Sequence, residues 1–81
     1  MKWYVINNDD FVRVADPVYF LIDVFDWSFD NAIDTIALFK NIPKRIMVGV
    51  DQNNHNSVWL CNEKWIHNKK RRIRKDNRRN G

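Results

Sequence analysis

The sequence predicts a single α+β domain: a small antiparallel sheet of two hairpins, one or two helices packed on one face, and a basic C-terminal tail. Three observations lead there. Two pairs of β-rich runs, "KWYVI"/"FVRVA" and "RIMVGV"/"SVWLC", are each split by a polar cluster, "NNDD" and "DQNNHN". That is the pattern of a hairpin. Between the pairs the apolar spacing changes to a helical one, and after His67 it fails altogether, Ile73 excepted. The expected division is a globular domain over 1–67 and a basic, flexible tail over 68–81.

The first hairpin is expected near residues 2–15, with a four-residue loop from Asn7 to Asp10. Asn and Asp suit such a loop because they tolerate left-handed backbone and bond their own main chain. Asp16-Pro17 is a helix-start signal, an N-cap followed by a residue with no N–H to leave unsatisfied. The run "VYFLIDVFDW" that follows is β-branched and aromatic, which argues for a strand; the capping signal favours a helix. Residues 28–40 are clearer. Ser28 can cap, and Phe29, Ala32, Ile33, Ile36, Ala37 and Phe39 fall on one side, opposite Asp30, Asn31, Asp34 and Thr35. Ile33 and Ile36 are expected to be buried. Asn41 and Pro43 end the helix. The second hairpin spans 45–66, with Gly49 marking a bulge or a close approach. "EKWIH" either extends its last strand or begins a new element.

Eighty-one residues make one small domain with a thin core. A chain that is 44% hydrophobic and 14% aromatic is not broadly disordered. Trp3, Trp27 and Trp59 fit the apolar patterns and are expected in the core, whereas Trp65 suits either the core or a binding surface. With Cys61 alone no internal disulfide can form, which points to a reducing cytoplasm. The opening residues lack the apolar stretch of a signal peptide, and "VYFLI" is far short of a membrane span.

Charge is divided along the chain. Residues 1–40 carry three basic side chains against seven acidic, net −4; residues 41–81 carry eleven against three, net +8. Such asymmetry marks an interaction tail. The tail holds Lys69, Lys70, Arg71, Arg72, Arg74, Lys75, Arg78 and Arg79 against Asp76 alone. Lys and Arg neutralise nucleic-acid phosphates and release condensed counterions. Guanidinium groups also bond phosphates bidentately and stack on bases, and Arg-rich segments can fold on an RNA target. Trp65, just before the tail, is placed to stack on a base. These nine residues are the candidate nucleic-acid site. The plainer readings are a solvating end, a membrane-surface patch or a nuclear localisation cluster, "KKRRIRK".

Seven Asp lie between residues 9 and 34. Asp9, Asp10, Asp16 and Asp30 have turn or cap duties. Asp23, Asp26 and Asp34 have none that the sequence shows. They read as a solvated helix face or as an acidic surface for a partner protein. Catalysis has little support. No Cys or His pair has metal-ligand spacing, and no Gly-rich phosphate loop is present. On one strand, Cys61 and His67 would stand roughly 20 Å apart, so Cys61 is expected to be a small core residue. No cofactor is expected. The leading expectation is a small, non-enzymatic, regulatory nucleic-acid-binding protein, DNA or RNA. The alternative is a protein-binding inhibitor or adaptor, of the small Asn-rich kind that phages and mobile elements encode, acting through the acidic, aromatic surface of the domain.

Overall fold

The computed structural model describes residues 1–68. Strands β1 (Trp3–Asn7) and β2 (Asp10–Val14) precede helices α1 (Pro17–Phe25) and α2 (Phe29–Phe39). Strands β3 (Arg45–Val50) and β4 (Ser57–Asn62) follow. Residues 63–68 are helical and start directly where β4 ends. The four strands form one antiparallel sheet in the order β2-β1-β4-β3. The two predicted hairpins are therefore fused through β1 and β4, which run from Trp3 opposite Asn62 to Asn7 opposite Val58. The α+β architecture is the one the sequence predicts. No helix among the described residues is long and apolar enough to cross a membrane.

Alternation on each strand separates two faces. Trp3, Val5, Val48, Val58 and Leu60 point to the helices and meet Leu21 and Ala32, which are fully buried. Both helices are fixed by the predicted caps. Asp16 Oδ1 accepts from Val18 N–H at 3.0 Å and Tyr19 N–H at 3.2 Å, ahead of Pro17 in the first turn. Ser28 Oγ accepts from Asn31 N–H at 3.2 Å. The capping signal thus outweighs the β-branched composition of α1. That helix ends on Asp26, at φ 57 in the left-handed region, where Trp27 N–H turns back to Leu21 O at 3.1 Å. The Trp27 indole then donates to Val48 O at 3.1 Å, joining the helix exit to β3.

Three local expectations need correction. The first hairpin loop has two residues, since Asn7 pairs with Asp10 and only Asn8 and Asp9 lie between. Asn8 takes the left-handed conformation (φ 57) that so tight a reversal needs. The phase of α2 is also rotated from the predicted one. Ala32 is fully buried, and Ile36 and Phe39 pack against the core. Phe29 and Ile33 are exposed, by 61% and 40%, and Ala37 is exposed too. Too many apolar residues compete for one stripe. The small Ala32 is the fully buried member, and the row of Phe29, Ile33 and Ala37 is turned out. Finally, Trp59 is not part of the helix-facing core. It alternates with Val58 and Leu60 and so lies on the opposite face of the sheet.

Gly49 meets its expectation. The β3–β4 register shifts between Met47 and Gly49, and a Cβ on Gly49 would run into the Phe25 ring. The bulge lets α1 sit close against β3.

Candidate nucleic-acid interface

The second face of the sheet is built by strand register. Tyr4 stands opposite both Arg13 and Cys61, Ile6 opposite Phe11 and Trp59, and Met47 opposite Trp59, with Arg45 opposite Cys61. Ile6 and Cys61 form its buried floor. Tyr4 and Trp59 are half-buried, and Arg13, Arg45, Phe11 and Met47 are exposed. The strand positions of this face carry two arginines and no carboxylate.

Trp65 reaches this face from the helical segment 63–68. Asn62 holds that segment in place. It is fully buried, and its Oδ1 accepts from Trp65 N–H at 3.1 Å, as an N-cap does. Its Nδ2 donates to Phe39 O at 2.8 Å and Ile42 O at 2.9 Å, with a longer bond to Lys40 O at 3.3 Å. One side chain thus closes the end of α2 and starts the next helix. Glu63 adds a second tie, because its N–H donates to Lys2 O at 2.9 Å and its Oε1 accepts from Lys2 N–H at 3.2 Å. "EKWIH" therefore begins a new element.

The centre of the face is a cluster of rings around one cation. The Arg45 guanidinium lies 4.3 Å from the Trp59 ring centroid and 5.7 Å from that of Trp65. Trp65 in turn tilts at 34° to Phe11, with centroids 6.4 Å apart. A cation over an indole face is held by the ring quadrupole. Of the sequence-predicted nucleic-acid residues, Trp65 is half-buried here. Lys69, Lys70, Arg71, Arg72, Arg74, Lys75, Arg78 and Arg79 lie outside the described residues. His67 and Asn68, between which the sequence places the domain boundary, both belong to the helical segment.

The acidic candidates stand in the other layer. Asp23 on α1 and Asp34 on α2 are exposed, and Asp26 caps α1. Asp26 therefore has a local duty that the sequence hides. It also borders a cleft of about 580 Å³ between α1 and the β3–β4 loop, along with Phe20, Phe25, Asn7 and Asp51. The Asp51 carboxyl is held below its ordinary value of 3.8, first by the Asn53 N–H, at 2.8 Å, and then by Asn7 Nδ2, at 2.7 Å. It is a loop latch that ties the second hairpin to β1. Among the described residues no group of three His, Cys, Asp or Glu side chains is gathered closely enough to hold a metal ion.

Sequence reasoning missed Arg13, Arg45 and Tyr4 as site candidates and assigned Trp59 to the core. A signal was available in strand parity. In "SVWLC" the flanking Val58 and Leu60 fix the helix-facing positions, so Trp59 must point the other way. No family model matches the chain, and no curated protein or solved structure matches it at a significant level.

Proposed function

We propose that the protein is a small, non-enzymatic nucleic-acid-binding protein with a regulatory role, whose Arg- and Lys-rich C-terminal residues contact phosphates. One observation carries the reading: charge is divided by layer as well as along the chain. Asp23, Asp26, Asp30 and Asp34 belong to the helical layer or its turns. The opposite sheet face has Arg13 and Arg45 and no acid on its strands, and in the sequence the eight basic residues of 69–81 follow the helical segment that carries Trp65. A polyanion is attracted to one side of this molecule and repelled from the other.

The test is the salt dependence of binding by the full chain. If about six of the eight terminal cations meet phosphates, log K falls with log salt at a slope of about −5 on duplex DNA and about −4 on a single strand. Replacing Arg71, Arg72 and Arg74 by Gln is expected to weaken binding and to flatten the slope by about three contacts. No binding to DNA or RNA at about 50 mM salt refutes the proposal, since phosphate contacts are strongest there.

A second reading, a protein-binding inhibitor or adaptor, rests on a different observation. Tyr19, Val24, Phe29 and Leu38 expose 64, 59, 61 and 63% of their surface on the same two helices as Asp23 and Asp34. Exposed apolar groups among carboxylates suit a partner with basic and apolar groups. Under this reading, changing Asp23, Asp26 and Asp34 to Asn abolishes partner binding and tail neutralisation spares it.

A further inference from the structure

The two arginines and the aromatic rings share one sheet face, and its make-up bears on which nucleic acid fits. We infer that the Arg45–Trp59–Trp65 cluster is a stacking site for the unpaired bases of a single-stranded nucleic acid, an inference that rests on the nucleic-acid reading above and deepens it.

Arg45 is exposed, yet its guanidinium is fixed against two indoles. Among the described residues no carboxylate or carbonyl accepts from its N–H groups. Its head group is therefore held beside the rings while its five donors stay available for a phosphate or a base edge. A surface arginine would ordinarily find such an orientation costly in side-chain freedom. Met47, opposite Trp59 and 55% exposed, extends the apolar surface beside the stack. Arg13 supplies a second cation on β2, at the other edge of the sheet, with β4 and β1 between it and Arg45.

An undeformed duplex fits this face poorly. Four strands spaced about 4.8 Å apart make a surface roughly 15 Å wide before side chains are counted. The major groove is about 12 Å wide and admits a helix or a two-stranded ribbon. A sheet of this breadth does not enter an undeformed groove, and in a paired duplex the bases reach the indoles only at the cost of unstacking. A single strand has splayed bases that stack on aromatic and guanidinium planes, with phosphates free for the neighbouring cations.

The experiment compares the full-length protein and its Arg45→Gln and Arg45→Lys variants. The ligands are oligo(dT), oligo(U) and a DNA duplex, each about 12 nucleotides long, with anisotropy and tryptophan emission as the readouts. Binding to at least one single strand is expected to quench tryptophan emission. Arg45→Gln should weaken that binding about tenfold, while changing duplex binding less than about twofold. Arg45→Lys, which keeps the charge and loses the plane, should fall nearly as far as Gln. Full recovery by Lys, or unchanged single-strand affinity in the Gln variant, overturns the stacking site and leaves terminal phosphate contacts standing. Absence of binding to all three ligands overturns both readings. Because Arg45 is exposed, an unchanged circular dichroism spectrum in both variants is the expected folding control.

Discussion

Asn62 shows how much a single polar residue can carry in a thin core. It is fully buried, and its amide contacts three carbonyls at the end of α2 and one N–H of the next helix. Removing it deletes bonds worth about 0.5–1.5 kcal/mol each and an N-cap worth about 1 kcal/mol, although Phe39 O keeps the Ile42 N–H and Ile42 O keeps the Lys44 N–H. Asn62→Ala is expected to cost about 3 kcal/mol in urea denaturation. A cost below about 1 kcal/mol would mean that water replaces the amide. Nothing in "LCNEK" announces this role. An Asn after a β-run reads as an ordinary strand end, and its partners at 39–42 are distant in sequence.

The second helix decides how a crowded apolar pattern is resolved. Its eleven residues include Phe29, Ala32, Ile33, Ile36, Ala37, Leu38 and Phe39, more than one stripe can hold. The helix turns Ala32, Ile36 and Phe39 inward, and the small Ala32 is the one that is fully buried beside α1 and the core. Ile36→Ala is therefore expected to lose about 2 kcal/mol, the low end for core truncations, since the side chain is only half-buried. Ile33→Ala should lose under about 1 kcal/mol, as exposed positions do. Chemical denaturation of the two variants checks the order, and equal losses would return the helix to the phase the periodicity predicts. The strands pose the opposite problem. β2 and β3 are edges, and the exposed Val12 and Met47 reflect that position.

At the scale of the molecule, the described residues of the buried helix-facing cluster lie between Trp3 and Leu60. The sequence of 69–81 offers only Ile73 to an apolar pattern, so those residues are expected to add little to the core. Ending the chain at Asn68 is expected to preserve a single cooperative thermal transition while abolishing most nucleic-acid affinity. Loss of the transition would assign residues 69–81 a structural part. The same core explains the two-sided charge. Helices that bury one stripe turn their Asp residues outward, and the sheet's second face is left to residues of opposite strand parity, where the arginines fall.

The sequence by itself determined the succession of elements and the signals that start and stop most of them. Asp16-Pro17 and Ser28 are local capping chemistry, "NNDD" and "DQNNHN" are turn chemistry, and the excess of charge after residue 68 is composition. These act within a few residues and can be read there. Only the tertiary structure decided that β1 and β4 join the hairpins, that Ala32 rather than Ile33 faces the core, and that Trp59, Arg45 and Trp65 meet. Each depends on which surfaces approach across long stretches of chain, and that follows from the summed burial and register of all the elements together.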